Sequence, residues 1–220
     1  MMTELIYLLR KSRLFYDIPE EAMEELIQSL GGHVKRLQKG EFWINEGMKV
    51  DQIGVILCGE MAVLRICANG QQHLMQKLKS SFMIGLDVVC TENQGSPYDI
   101  QALEDTELYQ FPWSVLAQPG LINETYRRCI MKNILRMISH ENIRKTYKIE
   151  ILMQKGLRNR IMTYLIIEKR KRKKDVFTIP YSREEMADFL CVNRSALSHE
   201  LSLMQKDGLI KFRQNEFEVL

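Results

Sequence analysis

The chain has 220 residues, 45% of them hydrophobic and 27% charged, with a formal net charge of +3. That length holds one large domain or two ordinary ones, and the composition is globular rather than disordered or fibrous. No apolar run approaches the roughly 18 residues of a membrane helix. Met1–Arg10 has neither the positive leader nor the small-residue cleavage site of a signal peptide. A cytoplasmic protein with no membrane partner is therefore expected. The cysteines, Cys58, Cys67, Cys90, Cys129 and Cys191, include no CxxC and no close Cys/His pair of zinc type. They are expected as reduced core thiols.

The charge is unevenly spread. Residues 145–220 hold 16 Lys and Arg against 10 Asp and Glu, a net of +6, while the other 144 residues carry −3. A polyanion partner is expected to meet the C-terminal end.

In chain order, residues 4–30 read as helical. Pro19 with Glu20 and Glu21 opens the amphipathic stretch Ala22–Leu30, and Gly31-Gly32 stops it. From Val34 to Phe111 short apolar stretches alternate with turn signals at Gly40, Gly47, Gly59, Asn69-Gly70, Gly85 and Gly95-Ser-Pro97. Ile53–Leu57, Met61–Ile66 and Leu74–Leu78 read as strands, and Asn69-Gly70 is a hairpin signal. So many short strands suggest a β-barrel or jelly roll.

After Pro119-Gly120 a long helix spans about residues 121–150, with Ile130, Met131, Ile134, Leu135 and Ile138 as an apolar stripe. About 28 residues at helical rise reach roughly 40 Å. Such a helix is either an ordinary core helix or, as its length favours, a dimer helix joining two domains. A second helix, Gly156–Glu168, runs into Lys169-Arg-Lys-Arg-Lys-Lys174. That basic run reads as a solvated, mobile loop or as a contact with DNA phosphates.

The last forty residues say most. Ser182 with Glu185 forms a capping-box pattern, and Met186, Ala187, Phe189 and Leu190 supply a buried face. Cys191-Val192-Asn193 connects to a second helix from Arg194 to about Lys206, with Asn193 as its N-cap and Gly208 as its stop. Leu197, Leu201 and Met204 fall on one side; Ser195, Ser198, His199 and Ser202 fall on the other. A solvated face normally carries Glu and Lys, so a serine-rich face suggests close approach to another surface. Helix-turn-helix proteins present a reading helix to double-stranded DNA in this way. Hydroxyls can bond bases or phosphates, and Arg194 can bond a guanine edge or hold a phosphate. Beyond Gly208, Leu209–Arg213 and Phe217–Leu220 alternate as a hairpin wing, from which Lys211 and Arg213 can reach the sugar-phosphate backbone.

The order β-roll, long helix, winged helix-turn-helix resembles the family of the cyclic-AMP receptor protein and the fumarate-nitrate reductase regulator, the CRP/FNR family, over nearly the whole chain. Its DNA-binding part is carried by Glu185–Leu201 and Asp207-Gly-Leu-Ile210; its sensor part by Lys39-Gly-Glu41, Glu46-Gly47, Leu57-Cys-Gly-Glu60, Asn69-Gly70 and Leu78 through Gly85. The resemblance implies an α+β chain: a cyclic-nucleotide-binding-like β-roll over 1–120, a dimerisation helix over 121–150, and a winged helix-turn-helix over 151–220. It implies a bacterial transcription regulator that is a homodimer, reads a palindromic operator, and contacts RNA polymerase if it activates. By position, Arg194, Ser195, Ser198 and His199 match base-reading or base-proximal residues, and Arg183 matches a phosphate contact. Asn193, Ser202 and Lys211 complete the DNA-binding set. Ser195 stands where many members have Glu, and His199 where they usually have Arg.

The sensor departs from the family's cyclic-nucleotide pattern. Such binders place Gly-Glu at the start of a short helix and Arg-Ser or Arg-Thr about ten residues later. Here Gly85 is followed by Leu86, with Asp87 one place late, and Ser96-Pro97 stand where Arg-Ser would be. No cation remains to pair a cyclic phosphate, so cyclic AMP is not expected. No Cys precedes Cys58, and neither Cys nor His stands within Gly85–Asp87, so no iron-sulfur or haem ligand pattern is expected. His33 and His73 read as solvated or structural. By positional match, Val63, Met75, Gln76, Gly85, Leu86, Asp87, Ser96, Pro97 and Tyr98 would line a pocket in the roll, with Met137, Glu141 and Asn142 approaching from the long helix. These positions either fill core and dimer seam, or admit a small apolar or mixed organic effector.

Two rival readings are a ligand-independent regulator and an interaction module without DNA function. An enzyme is not expected, since no nucleophile–base signature, P-loop or dinucleotide fingerprint appears. Ser198 and His199 are adjacent on a helix, so their side chains diverge by about 100° and form no dyad.

Overall fold

A computed structural model describes residues 2–66 and 72–220. Contacts divide the chain into two compact units, residues 1–137 and 138–220, with the boundary inside one long helix. Among the described residues no helix is long and apolar enough to cross a membrane.

The first unit opens with α1 (Met2–Leu9) and α2 (Met23–Leu30). Gly31 ends α2 at φ 61, a left-handed conformation that glycine adopts without a Cβ clash. Eight strands follow: β1 (His33–Leu37), β2 (Phe42–Ile44), β3 (Gln52–Cys58), β4 (Glu60–Ile66), β5 (Gln72–Lys79), β6 (Met83–Ile84), β7 (Asp99–Ala102) and β8 (Thr106–Pro112). A one-turn helix α3 (Leu86–Val89) sits between β6 and β7, and α4 (Ser114–Ala117) follows β8. The strands form two four-stranded sheets in the orders β1-β8-β3-β6 and β2-β7-β4-β5, and every pairing is antiparallel. This is the jelly-roll architecture that the strand spacing predicts. The Asn69-Gly70 hairpin signal lies outside the described residues, although β4 and β5 on either side of it pair from Ile66↔Gln72 to Glu60↔Lys79.

Ile53, Val55, Ile56, Met61, Leu108 and Phe111 of β3, β4 and β8 are all at most 1% exposed and belong to one core, with β3 and β8 buried on both faces. At roughly 25 cal/mol per Å², burial of side chains of this size is the main term holding the roll together. Tyr109 belongs to the same core at 1% exposure; its hydroxyl donates to the Ile27 carbonyl at 3.2 Å and accepts from the Gly32 amide. A Cβ on Gly32 would lie 2.5 Å from that ring, so glycine is required for the approach.

The long helix α5 (Glu124–Leu152) has 29 residues and a length of about 43 Å. Its first half belongs to the roll: Ile130 and Ile134 are buried in the roll core. Beside them the 2% exposed Asn133 donates from Nδ2 to the carbonyls of Leu14 (3.1 Å) and Tyr16 (2.6 Å). Asn133 thereby pairs two backbone acceptors of the turn between α1 and α2, sharing that of Tyr16 with the Cys129 thiol. Leu135, Ile138, Ile143 and Ile149 of α5 stay 43–63% exposed.

The second unit contains α6 (Leu157–Arg172), β9 (Val176–Thr178), α7 (Arg183–Phe189), α8 (Arg194–Lys206), β10 (Ile210–Arg213) and β11 (Glu216–Val219). The last two strands make the expected wing hairpin, but β9 joins it, giving an antiparallel sheet in the order β10-β11-β9. The basic run departs from the mobile-loop reading. Lys169–Arg172 form the last turn of α6, where positive charge is favourable. Lys171 and Arg172 pair with Glu168, itself 8% exposed, and Lys169 pairs with Asp175.

The cysteines also depart from expectation. Cys58, Cys90 and Cys191 are surface residues rather than core thiols, Cys129 is half-buried with its thiol on the Tyr16 carbonyl, and Cys67 lies outside the described residues. His33 is exposed and bonded to Gln110, and His73 is exposed.

Burial raises the Tyr109 phenol from its ordinary value of 10.0 to about 12. Its contribution to stability is complete below pH ~10 and is lost as pH rises toward ~12, because the folded state resists deprotonation more than the unfolded chain. A rise of that size corresponds to at most roughly 3 kcal/mol. Unfolding titrations between pH 9 and 12 should show the first unit weakening over this range, with a shallower slope in Tyr109→Phe.

Candidate nucleic-acid interface

The reading unit is set up by its caps and its core. Ser182 and Glu185 form the predicted capping box: the Ser182 hydroxyl accepts from the Glu185 amide at 3.2 Å, and the Glu185 carboxylate accepts from the Ser182 amide at 2.8 Å. Met186, Ala187 and Leu190 are buried as predicted, and Phe189 is half-buried with its ring packed against the same core. Cys191 makes the turn between α7 and α8 at φ 56. Leu197, Leu201 and Met204 of α8 are each 0% exposed and pack with Ile161, Leu165 and Phe217 in one core.

With that face buried, Arg194, Ser195, Ser198, His199 and Ser202 are all exposed along the opposite side of α8. The Ser202 hydroxyl donates to the Ser198 carbonyl at 3.0 Å, which leaves its lone pairs as acceptors. Asn193 occupies the N-cap position with extended backbone (φ −71, ψ 142), but its side chain makes no cap bond. The first amides of α8 are therefore uncapped, and its N-terminus keeps the partial positive charge that favours an anion.

Two expected backbone contacts are engaged inside the protein. Arg183 is half-buried; its Nη2 donates to the Gln214 carbonyl at 2.8 Å, and its guanidinium lies 5.4 and 5.5 Å from the Phe212 and Phe217 ring centres. Burial lowers its pKa from the ordinary arginine value. It pins the start of α7 to the turn of the wing. Lys211 is exposed on β10 with its Nζ 3.6 Å from Glu218.

Sequence reasoning missed three groups. Tyr164, Tyr181 and Phe189 form a ring cluster with centroids 5.3–6.2 Å apart, and the Tyr164 hydroxyl is buried without a partner. The second half of α5 joins this cluster: Arg144 bonds Glu141 and Tyr181, and Lys148 lies 5.4 Å from the Phe189 ring centre. Arg158 of α6 reaches Glu200 and Asp207. Phe189, placed on the apolar side of α7 by its spacing, was a signal for the first group; the ion pairs bridge 42 and 49 residues of sequence and had none.

In the roll, the candidate pocket residues fall into separate settings. Ser96 and Leu86 are buried, Gly85 opens α3 at φ 86 against Trp43, and Val63 and Gln76 are paired half-buried neighbours on β4 and β5. Met75, Asp87 and Pro97 are exposed. The structure brings Asp87 and Tyr98 together: the Tyr98 hydroxyl donates to the Asp87 carboxylate, and Ser96 donates to the Tyr98 carbonyl at 2.6 Å. Burial first, then Asp87, raises the Tyr98 phenol well above its ordinary value, so it remains a donor. Met137 is half-buried on α5, Glu141 is held by Arg144, and Asn142 is exposed. Among the described residues no group of His, Cys, Asp and Glu could hold a metal ion.

A cyclic nucleotide-binding domain matches residues 34–118, and a Crp-like helix-turn-helix domain matches residues 159–220. The chain belongs to the CRP/FNR family of transcription regulators. Its similarity to the transcriptional activator Anr of Pseudomonas protegens is 25% identity over 206 residues, covering 91% of this chain and 80% of that one. FnrA of Stutzerimonas stutzeri is 26% identical over 203 residues, covering 88% and 80%. In fold it resembles the c-di-GMP-responsive regulator CLP of Xanthomonas campestris, with a TM-score of 0.58 at 16% identity over 91% of this chain and 99% of CLP. The sensor domain of DNR from Pseudomonas aeruginosa gives 0.53 at 15% identity, over 71% of this chain and all of that one. As a CRP/FNR regulator the chain is a DNA-binding protein with a sensor-type domain, and not an enzyme.

The left-handed φ of Cys191 costs roughly 1–2 kcal/mol, because its Cβ crowds the backbone. Glycine removes that strain but gains freedom when unfolded. Cys191→Gly should therefore raise the stability of the reading unit by up to about 1 kcal/mol, seen as a higher denaturation midpoint with DNA affinity unchanged.

Proposed function

We propose that this regulator acts as a cytoplasmic homodimer whose two α8 helices enter successive major grooves of a palindromic operator. One observation carries the reading: the serine-rich row of α8 is exposed while the opposite face of the same helix is fully buried. Arg194, Ser195, Ser198 and His199 are its base-facing set. Asn193 and the uncapped start of α8 receive a phosphate. Ser202 and Lys211 stand at the edge of the contact, and Arg183 acts on it through the wing that it holds. The functional division is a sensor over 1–120, a dimer helix over 121–150 and a reader over 151–220.

The dimer is supported by α5. Leu135, Ile138 and Ile149 remain exposed, and with Met131 they fall at intervals of four, three and eleven residues, a repeat that keeps one seam facing a partner helix. Because the relatives Anr and FnrA are transcriptional activators, we assign an activating role that includes contact with RNA polymerase.

The effector would be a small apolar or mixed organic molecule in the roll rather than cyclic AMP. Ser96-Pro97 provide no cation for a cyclic phosphate, and the Asp87 carboxylate held by Tyr98 adds a negative rather than a positive charge to this part of the roll.

Selection of binding sites from random duplexes should return a two-fold symmetric sequence. Arg194→Ala should weaken binding to it by about 1–3 kcal/mol, roughly 5- to 150-fold, in a gel-shift titration. An unchanged affinity would remove Arg194 from the reading set. Leu135→Asp places a charge in the proposed seam, so sedimentation should show a folded monomer where the parent is a dimer. Operator affinity that no roll-binding ligand alters would make the regulator constitutive.

A further inference from the structure

We infer that Arg158 is a positioning residue for sequence reading: it fixes the roll and tilt of α8 against the rest of its unit, and so decides where the base-facing row is presented. The inference rests on the DNA-reading role of α8 proposed above.

The apolar contact of α8 is made by Leu197, Leu201 and Met204, a single line of residues along one side of the helix. Such a line sets how closely the helix sits on the core. It resists rotation about the helix axis only weakly, because apolar contact is non-directional. Directional restraint comes from the flank. Arg158, in the first turn of α6, donates from Nε to Glu200 at 2.6 Å and from Nη1 to Asp207 at 2.7 Å. Glu200 lies in the middle of α8 and Asp207 is its C-cap. Seven residues correspond to about 10.5 Å along the axis and nearly two full turns, so both carboxylates leave the same flank. One planar guanidinium holding two points that far apart opposes roll at one and tilt at the other.

The chemistry requires arginine. Its Nε and Nη1 hydrogens point in fixed directions within one plane, whereas a lysine ammonium is a point charge on a flexible stem. The two carboxylates are the principal cause that raises the Arg158 pKa, so the guanidinium keeps its charge. Glu200 is also next in sequence to His199 of the reading row, so a change in how Glu200 is held is felt at once by that row. Finally, Arg158 follows Gly156, which opens α6 at φ 80 just after the end of α5. The residue that holds the reading helix thus stands beside the joint where the long helix ends.

The test uses the full-length protein and compares it with Arg158→Lys, Arg158→Ala and Glu200→Gln. Affinities are measured for the selected operator and for a random duplex of equal length over a range of salt. Arg158→Lys keeps the charge, so random-duplex binding and its salt slope should stay within about twofold. Operator binding should fall roughly tenfold, a loss of about 1.4 kcal/mol in discrimination. Arg158→Ala should lose at least as much, and Glu200→Gln, which keeps the shape but weakens one anchor, should fall between parent and Arg158→Lys. An operator-to-random ratio in Arg158→Lys and Glu200→Gln equal to that of the parent would overturn the inference. So would equal weakening on both duplexes, which is the sign of a merely structural role. A parent that shows no operator preference would instead refute the reading role of α8 itself.

Discussion

Everything the reading unit offers to DNA depends on α8 being buried on one side and bare on the other. Leu197, Leu201 and Met204 are removed from water against α6 and the wing, and this apolar contact supplies most of the energy. The polar row opposite is exposed, with the Ser202 hydroxyl bonded to the Ser198 carbonyl. The remaining features of the unit serve that one arrangement. The capping box starts α7 at a defined place, Cys191 turns the chain, and Arg183 ties α7 to the wing. Arg158 supplies the directional contacts that apolar packing lacks.

The roll follows a different logic. Its two sheets close over a core of branched and aromatic residues, and its polar groups are used inward. Tyr109 links β8 to α2, and Asn133 links α5 to the turn before α2. At α3 this chain sets a carboxylate and a phenol against each other, Asp87 accepting from the Tyr98 hydroxyl. That pair satisfies the local hydrogen bonding without any phosphate. The fold is that of a cyclic nucleotide-binding domain.

Much of this was legible in the residues. Strand positions in the roll, the capping box at Ser182 and Glu185, and the two faces of α8 follow from periodicities of two and 3.6 and from local hydrogen-bonding groups, all of which act within a few residues. Where the reading failed, a distant partner or a local geometry that residue type does not encode decided the outcome. The run 169–174 looked like a loop because six basic residues repel one another, but Glu168 and Asp175 offset part of that charge and the turn stays helical. Asn193 has the right type for a cap, yet its side chain is not used as one. The exposed cysteines follow from their places at strand ends and turns.

Residue pattern alone established the kind of molecule: a sensor-like roll, a long helix and a winged reader. These are matters of local periodicity and of which residue types are present. Packing in three dimensions settled which charges are free and which are already engaged. Arg183 and Arg194 are equally plausible DNA contacts as residues in a string. In the folded chain one is stacked on the wing aromatics and the other stands exposed at the start of α8. Arg158, inconspicuous in the sequence, holds that helix from 42 and 49 residues away. Pairing across such separations depends on how the elements pack, and no local pattern records it.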